Sequence, residues 1–267
     1  MSFGWINAEE FSFNTLLLMD RWIFNTIARN TDPDLRNSLS IALAGNPAVH
    51  WYIVTKCPEQ QEFYDNLVGN VPGILSRTGI REAEVKVLDE LDWAVVCVYP
   101  EIMEGLPYIA EWDCERLLTL TDFTGKTVLD IGSGTGRLAF AAAPLARTVY
   151  AIEPVDQLRE YLREKKRRLE VENLHVADGT ILSIPFQDEF FDIVMSGHAV
   201  GEDHESEFRE MMRVTRPGGF LIDCPGEDDR KHPDGPRKEM LALGFGYSHY
   251  LSKTGGDVYR YWLRKPG

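Results

Sequence analysis

The residues best suited to chemistry lie in one run, Val128-Leu129-Asp130-Ile131-Gly132-Ser133-Gly134-Thr135-Gly136. Its apolar first half reads as a strand, and the alternating glycines read as a turn that opens a helix. Glycine lets backbone approach a ligand closely, and the first turn of a helix presents N–H groups that have no partner of their own. Such a turn cradles a polar cofactor. The pattern does not say which one, because Gly134-x-Gly136-x-x-Ala139 followed by Glu153 also satisfies the dinucleotide fingerprint.

Further motifs follow in order. Glu153 closes a second strand-like run in Tyr150-Ala151-Ile152-Glu153-Pro154, and Asp178 closes a third in Val176-Ala177-Asp178-Gly179-Thr180. Phe191-Asp192-Ile193-Val194 opens a fourth, and Arg213-Val214-Thr215-Arg216-Pro217-Gly218-Gly219 leads into a fifth. Together these residues resemble the class I S-adenosylmethionine-dependent methyltransferases, in particular the type 11-like small-molecule enzymes. The resemblance covers roughly 60% of the chain, from about Leu106 onward. It implies S-adenosyl-L-methionine as cofactor, approached by Gly132, Gly134 and Gly136. It further implies that Glu153 accepts both ribose hydroxyls and that Asp178 accepts from the adenine amino group, with Gly179 leaving room beside the ring. Asp130 would organise the methionyl amine. Each acid also has a plainer reading: Glu153 as a solvated carboxylate before Pro154, Asp178 as an Asx-turn or helix cap, and Asp130 as a brace for the glycine turn.

Ligands of open α/β sheets lie at the carboxyl ends of the strands, which places Ser196-Gly197-His198-Ala199 beside the transferred methyl group. Imidazole titrates near neutrality, so His198 is the candidate catalytic residue, as a general base; the competing reading is a hydrogen-bonded pocket wall. Glu202, Asp203, His204 and Glu205 read either as a cation or metal site or as an acidic helix start, and the second is preferred, with no metal expected. Tyr108 and Trp112 are four apart on an expected helix from Pro107 to Leu120. They would therefore share one face, and could wall the sulfonium or simply pack in the core. Cys57, Cys97, Cys114 and Cys224 form no CxxC pair, which argues against a zinc knot, a disulfide framework or a thiolate substrate site.

The elements that must position these residues fall into two textures. Residues from Ala8 to about Leu91 read as short helices, over Glu9 to Arg29, Asp34 to Ala44 and Pro58 to Val68, and Trp93 to Tyr99 reads as a strand or a buried connector. From about Leu106, strand-like runs alternate with helical segments near Leu138 to Leu145, Val155 to Glu170 and Glu205 to Val214. A helix over Asp234 to Leu243 and two strands, Tyr247 to Leu251 and Val258 to Leu263, complete the pattern. The expected fold is α/β, a Rossmann-like doubly wound sheet, mostly parallel with an antiparallel C-terminal strand. A mainly helical N-terminal cap, serving as substrate region and lid, occupies 1–105, and the methyltransferase domain occupies 106–267.

The chain has 267 residues, 42 acidic and 28 basic, for a formal charge of −14. A field of that sign repels nucleic acid and anionic membranes, so neither is an expected partner; the expected partner is a small-molecule substrate. The start lacks a signal-peptide pattern and no apolar stretch could span a bilayer, which leads to an expectation of a cytoplasmic protein. Oligomeric state and acceptor atom (O, N, C or S) stay open. Two rival readings accompany the methyltransferase: a regulatory protein that binds the cofactor without catalysis, and a nicotinamide-dependent oxidoreductase.

Overall fold

The computed structural model describes residues 2–267 except 72, 74, 75, 202, 227–230 and 254. The chain divides into two units, Met1–Ile102 and Met103–Gly267. In the first, short 3-10 turns at Ala8–Glu10 and Phe13–Leu18 precede helices α1 (Arg21–Arg29), α2 (Pro33–Gly45), α3 (Pro47–Lys56), α4 (Gln61–Gly69), α5 (Arg77–Glu90) and α6 (Asp92–Val98). Side chains specify the starts. Asp20 accepts from the backbone N–H groups of Trp22 and Ile23 to begin α1, and Asp32 does the same for α2 ahead of Pro33 at its first position. Glu9 to Arg29 is therefore not one helix, because the caps at Ser12 and Asp20 restart the chain twice. α2 turns Leu35, Leu39, Ala42 and Leu43 inward, an i, i+4, i+7, i+8 stripe, and Gly45 lets its end approach Ile80 of α5.

Trp93 to Tyr99 is helical, not a strand. Within α6, Ala94, Val95, Val96 and Val98 are all buried. Bonds from Val95 N to Leu91 O and from Tyr99 N to Val95 O satisfy the backbone internally. Burial on nearly every side removes the periodicity that would reveal the helix, and packing overrides the β preference of its valines.

The second unit is built on seven strands: β1 (Thr127–Ile131), β2 (Thr148–Ile152), β3 (Leu174–Ala177), β4 (Phe191–Ser196), β5 (Thr215–Asp223), β6 (Gly246–Leu251) and β7 (Asp257–Arg264). Their order is β3-β2-β1-β4-β5-β7-β6, with β1 to β5 parallel and β7 antiparallel to both neighbours. This is the expected α/β sheet, with its antiparallel end made by a β6–β7 hairpin. Chain order reverses between β1 and β4, the switch point where such sheets open a crevice at their carboxyl edge.

Helices α7 (Pro100–Gly105), α8 (Pro107–Ala110) and α9 (Glu115–Leu118) precede β1, and α10 (Arg137–Ala142), α11 (Asp156–Arg168), α12 (His204–Val214) and α13 (Lys238–Ala242) lie between strands. One sheet face packs Val128, Val149, Ile193, Met195 and Ile222 with Leu138, Ala142 and Leu162; the other packs Leu129, Ile131, Val194 and Leu221 with Met211 and Met240. Alternate strand residues thus feed two cores, as a sheet covered on both faces requires.

The expected helix over Pro107 to Leu120 is interrupted. α8 ends at Ala110, and the Asp113 carboxylate accepts from Glu115 N to start α9. The short-range competition of an Asx-turn defeats the helix at that point. The helix expected over Asp234 to Leu243 shrinks to Lys238–Ala242. Among the described residues, no helix is long and apolar enough to cross a membrane.

Candidate active site

β1 delivers Asp130 and Ile131 to the switch point, and Gly132 N and Ser133 N then bond to Ile152 O of β2 at 2.9 and 3.2 Å. The turn passes through Gly136 at φ +90, where an added Cβ would stand 2.6 Å from the Phe140 ring and 2.7 Å from Leu162. Only glycine fits there. Lys165 of α11 braces the turn, donating to Thr135 O at 3.0 Å and to the Glu104 carboxylate at 2.6 Å.

Glu153 follows β2 directly and is 4% exposed. One carboxylate oxygen accepts from Gly134 N at 2.9 Å and the other from Val155 N at 3.0 Å. It is therefore neither solvated nor peripheral; it lies against the glycine turn.

Asp130 is buried, and its Oδ2 accepts from Ala139 N at 3.0 Å inside the first turn of α10. Burial pushes its carboxyl up to about 7, against the opposing pull of the Arg137 guanidinium and the Ala139 N–H. The Asp130 carboxylate thus caps the start of α10, directly after the glycine turn.

Asp178 extends from the end of β3, its side chain 76% exposed, and pairs at 3.1 Å with Arg159 of α11. Arg159 also donates to the main-chain Glu153 O at 2.7 Å, so a single guanidinium ties the Asp178 carboxylate to the backbone at the end of β2. Gly179 packs on Ile152 and Pro185, where a Cβ would come within 2.9 Å of Pro185.

At the exit of β4, Ser196 is paired in register with Ile131, and its Oγ accepts from Ala199 N at 3.1 Å. This folds the loop back so that a Cβ at Gly132 would lie 2.9 Å from the Ala199 Cβ. The exposed His198 is held in that loop. Its Nε2 accepts from Gly226 N at 3.4 Å, and Tyr108 stands edge-on to its ring at 5.5 Å between centroids. The helix expected to carry both Tyr108 and Trp112 ends at Ala110, and Trp112 lies under Arg137, whose guanidinium carbon is 4.4 Å from its ring centroid.

Arg137 was not singled out by the sequence. It is the first residue of α10, Nη2 donates to Cys224 O at 2.9 Å, and Nη1 is buried with no partner. Desolvation lowers its pKa, a direction resisted by the nearby Cys224 and Asp130. A helix-opening arginine ordinarily reaches solvent, so nothing local marks this one. Of the acidic group beyond β4, Glu202 lies outside the described residues; Asp203 accepts from Ser206 N and caps α12. His204 and Glu205 belong to that helix's first turn.

The assembled site fits S-adenosylmethionine. Thr135 Oγ1 is buried without a partner inside the turn, and a Cβ at Gly134 would meet only the Met103 sulfur, at 3.6 Å. The crevice thus offers hydrogen-bonding capacity and space beside a buried carboxylate. Gly132, Gly134, Glu153 and Asp178 would hold the cofactor.

Fold and site together define an α/β protein with a nucleoside-type cofactor crevice at its switch point. Residues 129–223 match the family model described as a methyltransferase domain. The chain is 31% identical over 128 residues to an uncharacterized methyltransferase of Anoxybacillus flavithermus, covering 46% of this chain and 55% of that one. It is also 31% identical over 106 residues to the uncharacterized methyltransferase YcgJ of Bacillus subtilis, covering 38% and 42%. The chain thus spans about half the length of the curated relatives it matches. Among solved structures, a chain from the complex of the Haloferax volcanii Trm112 methyltransferase activator with a methyltransferase shares the fold. It has a TM-score of 0.51 and 15% identity, covering 63% of this chain and 94% of that chain. The second unit thus contains a methyltransferase domain that resembles the class I S-adenosylmethionine-dependent enzymes.

Proposed function

We propose that the protein transfers the methyl group of S-adenosylmethionine to a small-molecule acceptor. The observation that carries this reading is the contact of Glu153 with Gly134 beneath a turn against which the His198 loop is folded. That arrangement brings a cofactor-binding carboxylate and a proton acceptor to one edge of the sheet. When bound, the cofactor supplies a methyl group already activated for in-line displacement.

The protein's task is then alignment and, for an O or N nucleophile, removal of a proton. Glu153 and the glycine turn fix the nucleoside end. His198 Nε2, on giving up its long bond from Gly226 N, accepts the proton from the nucleophile. We further propose that the helical first unit carries acceptor selectivity, since the cofactor fold supplies little of its own. The charge of −14 supports a small-molecule substrate over nucleic acid, and four cysteines without a disulfide support a cytoplasmic setting.

Calorimetric titration with S-adenosylmethionine, S-adenosylhomocysteine and NAD tests the cofactor, followed by methyl transfer from labelled cofactor to a metabolite panel. Micromolar binding of the first two and turnover of at least one metabolite are expected. Preference for NAD, or binding without any transfer across the panel, would overturn the reading.

A further inference from the structure

Three arginines converge at the carboxyl edge of the β5–β7–β6 end of the sheet. Arg260 Nη1 donates to Arg116 O at 2.7 Å, Arg116 O accepts a 3.7 Å contact from Cys224 Sγ, and Cys224 O accepts from Arg137 at 2.9 Å. The guanidinium carbons of Arg116 and Arg260 lie 3.8 and 5.6 Å from the ring centroid of Tyr250. In register, Asp223 at the end of β5 faces Tyr261, and Arg260 is the next residue toward the start of β7, level with the chain's exit into Cys224.

No side-chain carboxylate among the described residues pairs with any of the three. Their partners are neutral: carbonyl oxygens, Ser248 and Thr119 hydroxyls, and aromatic faces. Elsewhere in the same unit Arg159, Arg213, Arg216 and Arg237 have acidic partners, while Arg147 and Arg264 bond neutral groups singly and away from one another. Among the described residues no ion pair closes on any of the three, although the buried Asp130 and Asp223 carboxylates lie close enough to Arg137 to interact with its charge. Arg137 Nη1 and Arg116 Nε are buried without a partner, and Arg260 Nη2 takes part in none of its hydrogen bonds. Buried donors left unpaired are costly to folding, and a binding site tolerates them because its ligand completes them.

We infer that the methyl acceptor carries an oxyanion, a carboxylate or phosphate, and that Arg116, Arg137 and Arg260 hold it. The inference rests on the methyltransferase reading. The cluster lies beyond β4 from Glu153 and Asp178, which end β2 and β3 in the opposite half of the sheet, with His198 at the exit of β4 between them. An acceptor anchored by its anion would therefore extend toward His198, while the nucleoside occupies the other half. Guanidinium forks suit this task because they bind carboxylate and phosphate through paired N–H groups.

The test uses the full chain saturated with S-adenosylhomocysteine and titrated with benzoate, phenyl phosphate and benzamide by calorimetry. At least one anion should bind saturably, with benzamide weaker by roughly tenfold or more. The better anion identifies the group recognised. Arg260→Gln should weaken that anion by roughly tenfold, Arg260→Lys by less, and both should keep wild-type affinity for S-adenosylhomocysteine. Benzamide binding as well as the anions, or no binding of either anion, would overturn the proposal. So would unchanged anion affinity in a folded Arg116→Gln/Arg260→Gln variant. Loss of S-adenosylhomocysteine affinity in Arg260→Gln would also overturn it, by assigning the cluster to the cofactor's own carboxylate. Failure of the wild-type protein to bind S-adenosylhomocysteine at all is a different result, and overturns the methyltransferase reading first.

Discussion

The Glu153 carboxylate accepts a hydrogen bond from Gly134 N at 2.9 Å, joining the end of β2 to the middle of the glycine turn. One side chain thereby shapes the crevice and presents a buried carboxylate to it. Glu153→Ala should consequently do two things. It should weaken S-adenosylhomocysteine binding by about 10- to 100-fold, and lower folding stability by about 1–3 kcal/mol as Gly134 N and Val155 N lose their acceptor. Glu205→Ala, at a side chain 85% exposed, should do neither. Calorimetry and urea unfolding of both variants measure the contrast, and equal effects would place the cofactor elsewhere.

Asp130 makes stability depend on pH. Its carboxyl is raised to about 7 by burial, far above the ordinary carboxylate range that it regains on unfolding. Between those values the folded state binds the proton more tightly than the unfolded chain. The contribution is fully present below the unfolded pKa of about 4, and it is lost as pH rises through about 7. Relative to Asp130→Asn, the wild type should lose stability over that window, by on the order of a few kcal/mol. Urea midpoints of the two proteins across the window provide the measurement, and parallel curves would contradict it.

Gly136→Ala should destabilise the turn. It forces a Cβ to φ +90 and against Phe140 and Leu162 at 2.6 and 2.7 Å. A cost of about 1–3 kcal/mol is expected from the backbone conformation, with further loss from overpacking. A fall in Tm together with weaker cofactor binding would register both; an unchanged Tm would refute the geometry.

His198→Ala should lower kcat by about 10²–10⁴ while leaving S-adenosylhomocysteine affinity near wild type, if the imidazole takes the proton. Steady-state kinetics on the first acceptor found by the metabolite screen decide it. A raised KM with unchanged kcat would instead make His198 a wall of the pocket.

A fragment spanning 103–267 should retain the seven-stranded sheet and cofactor binding but lose discrimination among acceptors that share the same anionic group, because the sheet, the glycine turn and the three arginines lie wholly within that unit. Circular dichroism and the same metabolite panel follow the outcome. Full selectivity in the fragment would remove the first unit from substrate recognition.

The sequence by itself determined the strands, their order of motifs and the glycine turn, because these depend on local patterns: apolar runs, φ-permissive glycines, and acids at strand ends. Glu153 was identifiable for the same reason, lying one residue past β2. Local patterns also had limits. Trp93 to Tyr99 is apolar on every side and so carries no period that separates strand from helix, and Asp113 broke a helix whose spacing otherwise looked continuous. Tertiary structure alone decided that Asp130 caps α10, that Arg159 bridges the Glu153 main chain and the Asp178 carboxylate, and that Tyr108 faces His198. The arginine cluster is the extreme case: Arg116 and Arg260 are 144 residues apart and meet because β7 inserts beside β5. Burial of charge is a property of the assembled sheet edge, and sequence spacing holds no record of it.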